Sequence, residues 1–356
     1  MVSLIPLLHA ALGLCASLPD IASAKPGANL PLPVRTVAQL DSPSTWLENI
    51  AVRANGDLLV TQLAPEPILY TVKNPAGKNA VLEDIYQWHV PNVTKLLGVA
   101  ETVPDTFVIV AGNATGASLG YAGTFSAWEV RFPSLKSSKP AVRKIANMPE
   151  AMLLNGITPV PGKPEIVLIA DSQNGLLFRL DTRSGKYEVI ADRPEFEPHP
   201  ELQNATVGFG INGVKVRDGY LYFSNSNFVK IFRVKITPDG YIAHKGDAPV
   251  ELYADLNGVT TFVDDFTFSE DGTLWAVSNL GNTVVAVSPG GKKVEEVAGA
   301  KNQLTVAGGT AAAFGRTKAD GKVLYVATAG GLGAPVNGTA TEPGKVAGVD
   351  TSGYTC

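Results

Sequence analysis

Cysteine is almost absent from this chain, which limits how the fold can be stabilised. Only Cys15 and Cys356 occur in 356 residues, and Cys15 lies in an N-terminal apolar stretch of the kind that is removed during secretion. A mature chain with one remaining cysteine cannot form an internal disulfide. We therefore expect the apolar core and closure of a sheet to hold the fold, with Cys356 either incidental or available for an intermolecular bridge.

Charge and histidine are also sparse. Charged residues make up 17% of the chain, and the net charge is −4 without a basic cluster, so we do not expect a nucleic-acid partner. His89, His199 and His244 follow the N-terminal stretch, and none of them begins a predicted inner strand. A hydrolase mechanism built on a Ser–His pair is therefore not expected.

The first 24 residues indicate a secretory signal peptide. Residues 4–16 form an apolar run too short to span a bilayer comfortably, and Ala22-Ser23-Ala24 matches a small-residue cleavage site. The first few residues carry no Lys or Arg, which departs from the usual pattern and leaves an uncleaved anchor as the alternative. We expect cleavage near Ala24 and a mature protein in the secretory pathway or outside the cell, without a membrane span.

Four Asn-x-Ser/Thr sequons are consistent with secretion. They begin at Asn92, Asn113, Asn204 and Asn337. Because they lie on polar segments, we expect these asparagines to be glycosylated on the surface.

A strand–turn–strand unit recurs about every 53 residues, which is typical of a repeat fold. It is clearest at residues 213–224, where Asp218-Gly219 predicts a tight hairpin. The other copies span residues 50–61, 98–111, 156–170, 265–278 and 311–328. Each unit has room for four strands, so residues 25–356 are predicted to form a single all-β domain, a six-bladed β-propeller. Two β-sandwich domains are the alternative, and the even spacing disfavours them.

The two ends of the chain predict how the propeller closes. Lys345–Asp350 supplies a third strand to the last copy, and no outer strand follows it. Residues 34–40 form an extra strand before the first copy. Pairing of these two segments would close the last blade with an N-terminal strand and would cover two exposed sheet edges.

Polar residues occupy matching positions at the start of four inner strands. Glu48, Asn155, Asn212 and Asp264 each stand two places before the first inward apolar residue of a copy. Radial symmetry would bring them together at one end of the central channel, as an all-oxygen site that suits calcium better than magnesium. Simpler interpretations remain open: both asparagines precede glycine and could be turn residues, and so could Asp264, with Asp265 as an alternative ligand.

This pattern resembles the SMP-30/gluconolactonase/LRE-like superfamily of six-bladed calcium propellers. The similarity is carried by residues 48–52, by Asn-Gly at 155 and 212, and by residues 264–275, and it covers nearly all of residues 34–350. It implies that Glu48, Asn155, Asn212 and Asp264 bind a catalytic calcium. In a hydrolase of this type, Asp264 or Asp265 would act as base or nucleophile beside a metal-polarised carbonyl. Asp265 is a departure, because the family often has glycine there.

The segments around these positions predict an apolar mouth of the central channel, where a ligand would enter. Residues 153–154, 208–211 and 259–263 lead into three of the polar positions, and the long loop at residues 113–125 is expected to cover the pocket. Such a pocket favours a bulky apolar ligand with a few oxygen atoms. The expected substrate contacts are Tyr121, Phe125, Leu154, Phe209, Asn225, Phe262 and Asn279.

A second resemblance fits this mouth. Residues 47–61 (LENIAVRANGDLLVT) and 210–216 (GINGVKV) are similar to segments of secreted fungal hetero-Diels–Alderases of tropolone–sesquiterpenoid pathways. That resemblance implies cycloaddition between a tropolone quinone methide and a humulene-type sesquiterpene. Such a reaction needs two apolar partners held face to face and a donor or cation that polarises the heterodiene carbonyl.

The candidate catalytic residues are Glu48, Asn155, Asn212, Asp264 and Asp265. In the cycloaddition, amides such as Asn155, Asn212 and Asn225 would polarise the heterodiene carbonyl. Calcium is the candidate cofactor, and no organic cofactor is implied. The alternatives to the cycloaddition are a calcium-dependent lactonase or esterase and a non-catalytic binding propeller, because one fold hosts many functions.

Overall fold

The computed structural model describes residues 29–116, 119–203 and 205–356. Within these residues the chain forms six four-stranded antiparallel sheets arranged as blades, so the predicted six-bladed β-propeller is confirmed. The proposed signal peptide, residues 1–24, and the sequon at Asn204 lie outside the described residues.

The first half of the chain contains blades I to III. It begins with β1 (Val34–Gln39), which belongs to the last blade. Blade I consists of β2 (Trp46–Val52), β3 (Leu58–Ala64), β4 (Ile68–Lys73) and β5 (Val81–Gln87). Blade II consists of β6 (Lys95–Val103), β7 (Thr106–Gly112), β10 (Ser126–Arg131) and β11 (Ala141–Asn147), with the small hairpin β8 (Ala114–Thr115) and β9 (Leu119–Gly120) between β7 and β10. Blade III consists of β12 (Leu154–Val160), β13 (Lys163–Asp171), β14 (Leu176–Asp181) and β15 (Tyr187–Asp192).

The second half contains blades IV to VI. Blade IV consists of β16 (Ile211–Arg217), β17 (Tyr220–Asn225), β18 (Lys230–Lys235) and β19 (Val250–Asp255). Blade V consists of β20 (Phe266–Phe268), β21 (Leu274–Ser278), β22 (Thr283–Val287) and β23 (Val294–Gly299). Blade VI consists of β24 (Gly309–Phe314), β25 (Val323–Thr328), β26 (Lys345–Asp350) and β1.

In the described ranges, helical structure is limited to single turns in connections between strands. Two 3₁₀ turns, Pro194–Phe196 and Pro200–Gln203, precede blade IV, and the short turn α1 (Ala243–Gly246) lies within that blade. In the part of the chain that the structure describes, no helix has the length and apolar character needed to cross a bilayer.

The propeller closes with the N-terminal strand, as predicted. β1 pairs antiparallel with β26, so that Val34 lies opposite Val349 and Gln39 lies opposite Lys345. The strand ends at Gln39, one residue earlier than expected, although the Leu40 N–H still donates to the Gly344 carbonyl at 3.0 Å. This pairing covers the edge that β26 would otherwise expose.

The apolar core is divided among the six interfaces between neighbouring blades. Each of six clusters of buried residues draws its members mainly from two adjacent blades. The second strand of each blade packs against a neighbour on both of its faces. This two-sided burial explains why β7 and β13 have long unbroken apolar runs instead of the alternation of a half-exposed strand.

Candidate active site

Bulges in the inner strands aim the predicted polar side chains into the channel. In β2, Leu47 pairs with Gln62 and Asn49 pairs with Thr61, which leaves Glu48 as an extra residue. The same irregularity lies between Leu154 and Ile157 in β12, where it contains Asn155, and between Ile211 and Val214 in β16, where it contains Asn212. A bulge reorients a side chain without ending the strand. Asp264 needs no bulge, because β20 begins two residues later.

The glycines after Asn155 and Asn212 serve close packing between inner strands. A Cβ atom on Gly156 would overlap the Asn212 carbonyl oxygen, and one on Gly213 would overlap the Asp265 carboxylate. A Cβ atom on Gly98 would likewise overlap the Asn155 carbonyl oxygen. The Asn-Gly pairs are therefore features of adjoining inner strands and not of surface turns, since only glycine allows this approach.

A cavity of about 350 Å³ lies at the end of the channel where the inner strands begin. One group of its polar lining residues, which we call the floor, includes all four of the predicted ring positions. The floor consists of Glu48, Asn155, Asn212, Asp264 and Asn279. The structure thus brings together residues that are far apart in the sequence.

The walls of the cavity are largely apolar. Phe209 and Phe262 face each other edge to face, with ring centroids 6.1 Å apart. The remaining wall residues are Trp46, Leu63, Leu97, Leu153, Gln203, Ala205, Val207, Leu280, Leu332 and Gly333. A ligand seated here would contact hydrocarbon on its sides and oxygen and nitrogen atoms at the floor.

Hydrogen bonds fix the two carboxyl groups of the floor. The Asn212 and Asn279 amides donate from Nδ2 to Oδ1 and Oδ2 of Asp264, at 3.0 and 3.2 Å. The Trp46 indole donates from Nε1 to Glu48 Oε2 at 2.6 Å. Each carboxyl group therefore has a defined orientation within an otherwise apolar enclosure.

Burial makes both carboxyl groups weak acids. It raises the pKa of Glu48 to about 7, with the Trp46 hydrogen bond opposing this shift and the nearby Asp265 charge adding to it. The pKa of Asp264 is also raised well above its usual value, first by burial and then by the Glu48 charge. A protonated carboxyl group can donate a hydrogen bond, so near neutral pH the floor offers donors as well as acceptors.

Asp265 lies beside the floor but does not line the cavity. Its Oδ1 accepts from Lys215 Nζ at 2.7 Å and from the Phe266 N–H at 2.7 Å, and its Oδ2 accepts from Asn49 Nδ2 at 3.2 Å. The predicted role of Asp265 as base or nucleophile does not match this placement, because the protein already engages both oxygens. Its charge acts on the cavity through the neighbouring carboxyl groups.

The floor contains suitable oxygen donors for a hard cation. Among the described residues, the Asn212 and Asn279 Oδ1 atoms are buried without a hydrogen-bond partner, and the Glu48 and Asp264 carboxyl groups share the same floor. This mixture of amide and carboxylate oxygens fits calcium. The described residues contain no group of three or more His, Cys, Asp or Glu side chains suited to a metal ion, so any cation here would depend on the amides.

The structure places four predicted substrate contacts away from the cavity. Leu154 and Phe125 are buried in the core between blades II and III. Tyr121 is 46% exposed and bonds to Thr115, because the loop at residues 113–125 folds into the β8–β9 hairpin instead of covering the cavity. Asn225 is buried with its amide bonded to backbone groups. Phe209, Phe262 and Asn279 do line the cavity, as expected.

Sequence reasoning missed most of the wall, although one signal was present. Leu97 stands two places before Val99, the position that is polar in four other copies, and it lines the cavity. Trp46 could not be singled out, because it lies before the repeat unit. Val207, Leu280 and Leu332 come from loops that carry no periodic pattern.

Solved structures of similar fold cover most of the chain. The luciferin-regenerating enzyme matches with a TM-score of 0.59 and 14% identity, over 89% of this chain and 95% of the other. Regucalcin of Agrobacterium tumefaciens, a calcium-binding protein, matches with a TM-score of 0.60 and 13% identity, over 90% and 94%. Virginiamycin B lyase of Staphylococcus aureus matches with a TM-score of 0.54 and 13% identity, over 90% and 99%. At these identities the likeness concerns the fold alone.

Two curated proteins are similar in sequence over most of the chain. A hetero-Diels–Alderase of Phoma sp is 35% identical over 331 residues, which is 85% of this chain and 88% of that protein. The hetero-Diels–Alderase asR5 of Sarocladium schorii is 31% identical over 328 residues, 83% of this chain and 78% of that protein. Both names assign the activity provisionally. No protein-family model matches the chain. The chain belongs to the family of these hetero-Diels–Alderases, which confirms the second resemblance noted from the sequence. Of the first resemblance, the solved structures confirm the propeller fold alone.

Proposed function

We propose that the protein catalyses a hetero-Diels–Alder cycloaddition in the cavity, joining a tropolone quinone methide to a humulene-type sesquiterpene. The observation that carries this proposal is an apolar enclosure with a hydrogen-bonding floor. Membership in the hetero-Diels–Alderase family supports the reaction type. The apolar walls support the choice of substrates.

The reaction needs alignment more than acid–base chemistry. The new carbon–carbon and carbon–oxygen bonds form while every atom of both reactants is kept, so no leaving group or proton has to be removed. The Phe209 and Phe262 walls would hold the partners face to face, which lowers the entropic part of the barrier. The Asn155 amide or a protonated Glu48 would donate a hydrogen bond to the heterodiene carbonyl and make it more electrophilic.

Calcium is proposed as a ligand of the same floor. Glu48, Asn155, Asn212 and Asp264 would hold it, and the orphaned Asn212 Oδ1 supports this choice. When bound, the ion would supply positive charge that polarises a carbonyl oxygen. The same oxygen set is the specific observation that favours a calcium-dependent lactonase or esterase as the second candidate.

Secretion and glycosylation are also proposed. Asn92 and Asn337 are exposed, and Asn113 is half-buried, with its Oδ1 accepting from the Thr94 hydroxyl at 2.7 Å. Exposed sequons support modification in the secretory pathway. Glycosidase treatment of protein from a eukaryotic host, followed by mass spectrometry of the mature N-terminus, tests both points.

The deciding experiment is to incubate the purified protein with humulene and a quinone methide generated in solution, and to resolve the adducts by chiral chromatography. We expect stereoselective adduct formation. Phe209→Ala should lower kcat/KM about tenfold or more, because the apolar reactant loses an aromatic side chain that holds it in place. Phe314→Ala, which truncates an aromatic residue at the far end of inner strand β24, is the matched control and should retain activity.

Metal dependence separates the two candidates. For the cycloaddition, Phe209→Ala should cost more activity than chelation does. A protein that forms no adduct but hydrolyses lactones, and that loses this activity with chelator and with Asp264→Asn while circular dichroism stays unchanged, would be the lactonase.

A further inference from the structure

Part of the cavity wall lies on the long connection between β15 and β16. We call residues 193–210, which leave blade III and enter blade IV, the crossing segment; its described parts are 193–203 and 205–210. It contributes Gln203, Ala205, Val207 and Phe209 to the cavity. The position of Phe209 opposite Phe262 therefore depends on what holds this segment.

Asn225, at the end of β17, holds the first part of the crossing segment in place through hydrogen bonds. Its Nδ2 donates to the carbonyl oxygens of Glu195 and Glu197 at 3.0 and 2.9 Å. Its Oδ1 accepts from the N–H groups of Asn227 and Phe228 at 3.1 and 3.0 Å. The side chain is fully buried, so these bonds form away from competing solvent.

Asn227 ties down the part that carries the wall. Its Oδ1 accepts from the Phe209 N–H at 2.8 Å and from the His199 N–H at 2.9 Å. Its Nδ2 donates to Gln203 Oε1 at 3.0 Å. Gln203 in turn donates from Nε2 to the carbonyl oxygens of Ser226 and Thr261, both at 3.1 Å. The buried Asn227 amide thus connects three points of the crossing segment to blade IV. Gln203 connects the same segment to the residues just before Asp264.

Two glycines leave Phe209 little freedom to shift. A Cβ atom on Gly208 would stand 2.7 Å from Pro198 Cβ and 3.0 Å from Asn227 Oδ1. A Cβ atom on Gly210 would overlap the Phe196 carbonyl oxygen. The backbone on either side of Phe209 is packed against the start of its own segment, and Asn227 holds the N–H of Phe209 itself.

We propose that Asn227, supported by Asn225, is a positioning residue that sets the placement of Phe209 and thereby the orientation in which the apolar partner is held. Neither asparagine lines the cavity, so the effect passes through the crossing segment. The expected effect on the adduct ratio rests on the proposed function. The expected effect on ligand binding rests only on the geometry of the cavity wall.

Asn282 provides a matched control elsewhere on the same face. It is buried in the equivalent loop of blade V, where its Nδ2 donates to the Lys301 carbonyl at 2.9 Å and its Oδ1 accepts from the Gly308 N–H at 2.8 Å. It therefore ties down the connection from β23 to β24 as Asn227 ties down the crossing segment. No residue of 300–308 lines the cavity. Truncation of Asn282 should affect stability without affecting binding.

The experiment compares Asn227→Ala, Asn227→Asp and Asn282→Ala in the full-length protein. Tm is measured first, then the Kd of the neutral apolar dye N-phenyl-1-naphthylamine, then kcat, KM and the ratio of stereoisomeric adducts. Both alanine variants should lower Tm. Only Asn227→Ala should weaken dye binding and raise KM, each about tenfold, and shift the adduct ratio, because small misplacements at a reacting site are costly. Asn227→Asp keeps the acceptor for Phe209 and should retain most of the selectivity.

The outcomes separate this inference from the proposed function. Equal dye affinity and an unchanged adduct ratio in Asn227→Ala, at a temperature where it remains folded, would overturn the positioning role. Absence of any adduct with the unmodified protein, together with dye binding weakened only by Asn227→Ala, would overturn the cycloaddition and leave the positioning of the cavity wall intact.

Discussion

Glu48 and Asp264 are two buried carboxyl groups on one small floor, and their acidity links stability to pH. Glu48 is held by one strong donor, and Asp264 by two amides. Because burial penalises their charged forms, the folded chain binds protons more tightly than the unfolded chain does. The same property lets the floor donate a hydrogen bond, whereas a cation bound there would have to displace the protons.

The first prediction at this scale concerns pH. The pKa of Glu48 rises from 4.5 to about 7 on folding, so protonation of Glu48 stabilises the folded state. Unfolding free energy should therefore fall as pH increases from about 4.5 through 7, by about 3 kcal/mol in the absence of calcium. Urea denaturation at pH 5 and pH 8 measures this. Glu48→Gln should remove the part of the slope that Glu48 contributes, whereas burial still raises the pKa of Asp264; an unchanged slope would contradict the assignment.

At the scale of elements, the repeated inner strands explain why three polar residues of the floor could be placed from the sequence. Glu48, Asn155 and Asn212 could be placed because a bulge recurs at the same offset in each repeat. The same bulge explains the placement of Leu154, a predicted substrate contact, which pairs with Asp171 and faces the core, whereas Leu153, just before the strand, lines the cavity. The loops that build the walls have no periodicity, so Val207 and similar positions gave no signal.

A substitution in one bulge tests this account. Gly156→Ala adds a Cβ that overlaps the Asn212 carbonyl, and the backbone on both sides is hydrogen-bonded. Forcing β12 and β16 apart should cost about 1–3 kcal/mol of stability and should also lower activity, because both floor amides move. Gly353→Ala, where the added Cβ meets nothing within 4 Å, should stay within about 0.5 kcal/mol of the parent protein. Equal unfolding free energies for the two variants would refute the close-packing role.

At the scale of the whole molecule, the ring depends on one pair of strands from opposite ends of the chain. Val37 on β1 is buried against blades I and VI, whereas Thr36 beside it is exposed. The sequence predicted this closure because an unpaired third strand and a spare N-terminal strand were both visible. It could not predict the cavity volume, which depends on how the loops pack.

The closure gives a matched pair of variants. Val37→Asp places an unpaired charge in the core between the first and last blades and should cost several kcal/mol. Thr36→Asp adds the same charge on the exposed face and should change Tm little. Differential scanning calorimetry compares them. A similar Tm for the two would mean that β1 is not part of the cooperative unit.

The pairing of β1 with β26 also orders events during biosynthesis. A ribosome releases β1 long before β26, with more than three hundred residues between Val34 and its partner Val349, so the ring cannot be completed until β26 has been synthesised. Until then the nascent chain carries open sheet edges at both ends, which are sites for pairing with other chains. A chaperone that shields edge strands during translation should therefore raise the yield of this protein more than one that acts after release.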